Sequence, residues 1–272
     1  MDESRTEEAD KVAGRITELL SEQTFAFTPI EYIGIHRHLF NGIYDFAGRL
    51  RDYNITKKEW ILNGDTVLYQ TAQHLQQALE YDFDKEKKFN YRGLSQKEKI
   101  ERIAEFISGI WQIHPFGEGN TRTTAVFLIK YLRYLGYTLD KEVFTKHSWY
   151  FRNALVRANY NKHSVNTYPN NEFLVKFFDN LVMGKSHELS NRDMLLSSET
   201  DAEGIINQAS ELSAFENEVL SLIKKNPSIT QKQIAESLGK SERTIKSTMQ
   251  GLQDKDVIAR VGSKKIGSWR IK

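Results

Sequence analysis

The chain contains no cysteine among its 272 residues. Disulfides, thiolate metal centres and cysteine redox chemistry are therefore excluded, and the absence fits a reducing cytoplasm, the compartment expected here. Only four prolines occur, so little interrupts helices. No run of about 18 apolar residues is present, and no membrane partner is expected. The charged opening MDESRTEEADKVAGR lacks the apolar stretch of a signal peptide. Neither charge sign dominates, the formal net charge being +2.

That small total hides a division. From 214 to 272, Lys and Arg outnumber Asp and Glu by 12 to 6, whereas the rest of the chain carries 26 against 30. A basic module attached to a mildly acidic body suggests two tasks. We read 1–24 as an N-terminal helix, 25–185 as the main domain, 186–213 as a polar linker, and 214–272 as the second domain. With 15 Phe, 12 Tyr and 4 Trp, the chain has ample material for cores.

Helical periodicity prevails in the main domain. Val12, Ile16, Leu19 and Leu20 mark a first amphipathic helix. Thr28 and Pro29 read as the cap and first turn of a second, running through Ile43 toward Gly48. Residues 51–69 turn irregular and partly alternating, and Asn63-Gly64-Asp65 is a hairpin signal. Further helices are predicted over 71–81, 96–113, 120–135, 146–159 and 171–183. The second domain reads as three helices, 215–225, 231–238 and 242–253, followed by strands at 257–261 and 268–271.

The densest chemistry lies in His114-Pro-Phe-Gly-Glu-Gly-Asn-Thr-Arg122, just before an apolar helix. Gly119 lets the backbone approach an anion. The first N–H groups of the helix starting at Asn120 and Thr121 have no internal partner and favour phosphate. Arg122 can add a bidentate clamp. Glu118 offers a hard oxygen ligand suited to Mg2+. His114 titrates near neutrality and can take a proton from a hydroxyl. His36 and His38, two residues apart, point to different faces of a helix and read as structural.

This run resembles the signature of Fic-domain proteins, His-x-Phe-x-Asp/Glu-Gly-Asn-Gly-Arg-x-x-Arg. His38-Leu-Phe-Asn-Gly-Ile-Tyr-Asp-Phe-Ala-Gly48 and Ser148-Trp-Tyr-Phe-Arg-Asn-Ala-Leu155 resemble flanking parts of the same domain. The resemblance implies a mainly α fold, a helical core with one β-hairpin flap. It implies transfer of AMP from ATP, with Mg2+, to a Ser, Thr or Tyr hydroxyl of a protein target or of the enzyme itself. His114 would be the base and Glu118 the metal ligand. Gly119, Asn120, Thr121 and Arg122 would hold phosphates, and Tyr150 and Asn159 would line the adenine site. Ile55, Thr56 and Lys57 on the flap would pair with the target as an added strand.

Two positions depart from the pattern. Thr121 replaces a glycine that is lysine in the related Doc toxins, which transfer phosphate. Ala125 replaces the second arginine, which meets the γ-phosphate and pairs with an inhibitory glutamate in many members. Ser4-Arg-Thr-Glu-Glu8 is the nearest match to the inhibitory motif, making Glu8 the candidate inhibitory residue. Doc-like phosphate transfer and a nucleotide-sensing regulator stay open as alternatives, and so does a homodimer.

Residues 214–272 resemble a winged helix-turn-helix. That resemblance implies DNA contacts from Arg243, Thr244, Lys246 and Ser247 on the third helix and from Lys264 and Lys265 at the wing tip. A docking role for the same fold is the alternative.

Overall fold

The structure, a computed structural model, describes residues 3–196, 214–254, 257–261 and 268–271. The chain divides into two compact units, Met1–Leu189 and Ser190–Lys272.

The first unit is helical throughout. Its helices are α1 (Glu3–Ser21), α2 (Pro29–Phe40), α3 (Leu75–Lys87), α4 (Gln96–Ile113), α5 (Asn120–Tyr134), α6 (Lys141–Asn159) and α7 (Glu172–Met183). The starts follow local rules. Thr28 accepts a hydrogen bond from the Glu31 N–H with Pro29 in the first turn, and Ser95 forms a reciprocal capping box with Glu98. The second helix ends at Phe40, earlier than predicted. Consecutive tight turns follow, with Ile43 and Tyr44 N–H groups bonding back to the Phe40 carbonyl at 2.9 and 3.0 Å.

α4 and α5 form the centre. Phe27, Phe83, Phe106 and Phe127 pack there within 5.1–6.4 Å of one another. α1 lies on α2 and α5, fastened through helix-end carbonyls. Arg15 donates to the Leu39 and Asn41 carbonyls at 3.0 and 2.8 Å. Buried Lys130 and half-buried Arg133 donate to those of Leu19 and Leu20 at 3.2 and 2.6 Å. These cations satisfy carbonyls that a helix terminus leaves open.

The predicted β-hairpin flap forms no strand. Asn63 and Gly64 do adopt left-handed backbone (φ 53° and 83°), as the turn signal required. However, Ile61 and Leu62 are fully buried. Drawing these apolar residues into the core winds Trp60–Leu62 into a 3-10 turn. Two backbone bonds close the turn, the Glu59 N–H donating to the Asp65 carbonyl at 2.8 Å and the Gly64 N–H to the Glu59 carbonyl at 2.9 Å.

The second unit holds α8 (Ala214–Lys225), α9 (Gln231–Leu238), α10 (Glu242–Asp254) and an antiparallel pair, β1 (Ile258–Val261) with β2 (Ser268–Ile271). Val219, Ile223, Ile234, Ile245, Met249, Leu252, Ile258 and Trp269 make its core. Thr230 closes a capping box with Gln233, and Gly239 ends α9 with φ 60°. No helix among the described residues is long and apolar enough to cross a membrane.

Candidate active site

The loop between α4 and α5 is anchored by buried residues, His114, Pro115, Phe116 and Gly119, while Glu118 is exposed. His114 ends α4 in left-handed backbone, φ 50°, which turns the chain back toward α5. Phe116 is fully buried with its ring stacked 3.7 Å from that of His36. The His36 Nδ1 accepts the Gly48 N–H at 2.9 Å. Its Nε2 must therefore carry the proton it donates to the Glu118 carbonyl at 3.0 Å. Burial, the dominant cause, pushes the His36 pKa down to about 4, so the ring stays neutral and acts as a brace, the structural role expected of it.

Arg51 is a second brace. Its backbone N–H donates to the Pro115 carbonyl. Its guanidinium donates to the carbonyls of His114 (2.8 Å), Tyr53 (2.6 Å) and Gln70. One buried side chain thus ties both ends of the 51–70 segment to the base of the α4–α5 loop.

The loop opens onto a cavity of about 540 Å³. His114 lines it while only 3% exposed. Its Nδ1–H donates weakly to the Trp111 carbonyl at 3.3 Å. A carbonyl can only accept, so Nε2 bears the free lone pair. Burial first, then the charges of Lys57, Arg51 and Arg152, holds the His114 pKa well below the usual value, and the imidazole is a neutral base at physiological pH. The Tyr69 ring leans on it with centroids 4.2 Å apart.

Glu118 lines the same cavity. Burial pulls its pKa upward, but the Gly119 N–H, Lys57 and Arg122 outweigh burial and keep it below the ordinary carboxylate value. Gly119 precedes α5 with φ +83°, and a Cβ there would lie 2.4 Å from the buried Phe40 ring. The side chain of Asn120 is spent on Phe116, accepting its N–H at 3.0 Å and donating to its carbonyl at 2.7 Å. Thr121 accepts the Trp111 indole N–H at 3.0 Å. Both side chains shape the loop, leaving the free backbone N–H groups of the first turn to face an anion.

Arg122 stands over the Phe40 ring at 4.7 Å and reaches Glu8 of α1 at 3.1 Å. The Tyr44 hydroxyl donates to the same Glu8 oxygen at 2.8 Å. The candidate inhibitory residue thus contacts the arginine of the nest. Ala125, a helical turn further on, offers no such partner.

Two expected residues lie elsewhere. Tyr150 is 1% exposed in the core, stacked with Phe177. Asn159 ties α6 to α4 by donating to the Ser108 carbonyl at 3.0 Å, away from the His114 cavity. α6 breaks at His147, and Ser148, Trp149 and Arg152 present its cavity-facing side. Arg152 is held by buried Glu59 at 2.8 Å. The 148, 149, 152 spacing is one helical face and could have been read from the sequence. The Glu59–Arg152 pair, 93 residues apart, leaves no local signal.

On the flap, Ile55, Thr56 and Lys57 lie in a segment without regular secondary structure. Among the described residues, no hydrogen bond engages the backbone of Ile55 or Thr56. In the second unit, Arg243, Thr244 and Ser247 are exposed on α10 and Lys246 is half-buried, while Ile245 and Met249 face inward. Lys264 and Lys265 lie outside the described residues.

Among the described residues, no group of three or more His, Asp or Glu could hold a metal ion by itself. A Mg2+ with one protein carboxylate plus substrate oxygens and water fits Glu118, because that ion commonly keeps non-protein ligands.

Residues 26–132 match the Fic/DOC family, and residues 212–259 match a winged helix-turn-helix DNA-binding family. A probable protein adenylyltransferase of Sinorhizobium fredii is 32% identical over 115 residues, 40% of this chain and 55% of that protein. One of Escherichia coli is 29% identical over 42% of this chain and 54% of its own length. The chain thus spans about half the length of these relatives. The N-terminal Fic domain of a Bartonella effector superposes with TM-score 0.52 at 20% identity, over 66% of this chain and 82% of that one. The BepC protein of Bartonella tribocorum, solved with bound AMPPNP, gives 0.52 at 21% identity over 66% and 86%.

Proposed function

We propose that this chain, which carries a Fic/DOC-family domain followed by a winged helix-turn-helix, transfers AMP from ATP to a Ser, Thr or Tyr hydroxyl of a protein target or of itself. One observation carries the proposal. A neutral base with a free Nε2, a carboxylate and the N-terminus of a long helix open onto a single cavity large enough for a nucleotide. The naming of relatives as protein adenylyltransferases supports the same reaction.

The Nε2 of His114 takes the hydroxyl proton, and the freed oxygen attacks the α-phosphorus in line. The bond to the bridging oxygen breaks, and pyrophosphate leaves. The α5 N-terminus and Arg122 hold phosphate oxygens. Mg2+ on Glu118 would supply charge neutralisation on the phosphates. Catalysis of this kind is mainly positioning and charge stabilisation. Thr121, turned toward Trp111, brings no cation of the kind a reversed nucleotide would meet. The unpaired limb at Ile55 and Thr56 suits a target strand.

Incubation with Mg2+ and either α- or γ-labelled ATP, in cytoplasmic lysate, tests the reading. Protein label from the α position alone supports it. Label from γ alone would replace it with phosphate transfer, and ATP binding without label would leave a nucleotide sensor.

Glu8 restrains Arg122 in this scheme. Both side chains are partly exposed (27% and 36%), so the contact contributes at most about 1 kcal/mol. Glu8→Ala is expected to tighten ATP-analogue binding by up to about fivefold, read by fluorescence titration. Unchanged or weaker binding would make α1 a scaffold only.

For the second unit we propose duplex DNA as partner, with α10 in the major groove. Binding of the full chain to random duplex should fall steeply with salt. Arg243→Ala should reduce affinity and flatten the salt slope by about one charge. Salt-insensitive or absent binding would favour protein docking by this module.

A further inference from the structure

The charges around the nucleotide cavity are not equally committed. Three cations line it: Lys57, Arg122 and Arg152. Arg152 is closed off, with its two terminal nitrogens on the two oxygens of Glu59 at 2.8 and 2.9 Å, and Glu59 is buried. Arg122 is shared with Glu8 and Tyr44. Lys57 differs. Its Nζ lies 3.3 Å from Glu118 Oε2, and among the described residues it has no second partner. The other Glu118 oxygen accepts the Gly119 N–H at 3.0 Å.

This pair is easily exchanged. The side chains are 30% and 52% exposed, so solvent screens the attraction and the net gain is small. An ammonium on a flexible four-carbon stem can also re-aim without moving the backbone. The lysine comes from the 51–70 segment and not from α5, whose own lining contains Arg122 as its one cation. A triphosphate brings about four negative charges to this space and needs positive charge from both walls.

We propose that Lys57 is a phosphate-binding residue that exchanges partners. It covers Glu118 before substrate arrives, and moves to the triphosphate once a divalent cation engages that carboxylate. Two cations within about 4 Å of one carboxylate repel each other, so metal entry itself releases the lysine. This inference rests on the AMP-transfer reading for the identities of nucleotide and metal, and it assigns Lys57 to the nucleotide rather than to the target strand.

A double-mutant cycle tests it, using a fluorescent non-hydrolysable ATP analogue and the full chain as wild type, Lys57→Ala, Glu118→Gln and the double variant. Affinities are measured in EDTA and in Mg2+, with thermal melts to verify folding. In Mg2+, Lys57→Ala should weaken binding about tenfold. In EDTA the same change should cost no more than about twofold while Glu118 is present, and about tenfold once Glu118→Gln has freed the lysine. Lys57→Arg should restore most of the Mg2+ affinity. Equal losses in EDTA and Mg2+ with Glu118 present would overturn the exchange. An affinity unchanged throughout would leave Lys57 a surface residue of the flap and overturn the assignment, as would failure of the wild type to bind the analogue. A wild type that binds the analogue but transfers no label would remove the AMP-transfer reading while the cycle still decides the role of Lys57.

Discussion

Replacing His114 with alanine is expected to lower AMP transfer by about 10²–10⁴-fold, the usual contribution of a general base, while ATP-analogue affinity stays within about twofold. The split follows from the geometry. His114 offers Nε2 to the cavity, whereas the groups proposed to hold the anion are the α5 N-terminus and Arg122, which the substitution leaves in place. Transfer with α-labelled ATP and equilibrium titration of the analogue read the two quantities separately. Equal loss of both would mean that His114 holds the loop rather than the proton. The wild-type pH profile carries the same argument. The base must be neutral to act, and burial depresses its pKa well below the ordinary 6.5. Activity should therefore be flat through neutrality and fall as pH drops, with its acid limb displaced below 6.5. An acid limb above that value would contradict a depressed His114.

The second large effect is expected at Gly119. An alanine there meets two penalties. A left-handed φ of +83° costs an L-residue about 1–2 kcal/mol. The new Cβ would also sit 2.4 and 2.6 Å from two atoms of the Phe40 ring. That ring is fully buried and carries Arg122 over its face, so it cannot yield without disturbing the arginine of the nest. Overpacking of this kind adds about 1–3 kcal/mol. Gly119→Ala should therefore destabilise the protein by about 2–5 kcal/mol and abolish measurable ATP-analogue binding. Gly93 provides the control. Its φ is +80°, yet nothing lies within 4 Å of its Cβ position, so Gly93→Ala should show the backbone penalty alone and retain nucleotide binding. Similar melting shifts for the two variants would remove the Phe40 clash from the account.

These effects depend differently on what can be read in a chain. The helices of both units were legible because their signals are local. A capping serine or threonine, an apolar repeat of 3.6 and a terminal glycine all act within a few residues, and α4 and α9 follow from them directly. The grouping of His114, Glu118 and Arg122 was equally legible, because the loop and helix start that carry them span nine consecutive residues, and the three line one cavity.

The flap was misread for the opposite reason. Asn63-Gly64 correctly specified a left-handed turn, but whether strands pair around it depended on where Ile61 and Leu62 could be buried, and that is a property of the whole core. Tyr150 and Asn159, expected from the resemblance to line the adenine site, do not line the cavity that holds His114. Helical phase places Tyr150 inward, and the break at His147 sets which side of α6 meets the cavity.

The sequence by itself determined the helical class, the basic C-terminal module and the grouping of a histidine, a carboxylate, a glycine-led helix start and an arginine on one short loop. All of these rest on interactions between near neighbours in the chain. Only the tertiary structure decided which nitrogen of His114 is free, that Glu8 reaches Arg122 across 114 residues, that Arg51 ties the flap to the loop, and that Lys57 faces Glu118. Those contacts join segments with no shared local pattern. Burial and charge within the folded unit, rather than any motif, set the protonation of His114 and the commitments of the cations around it.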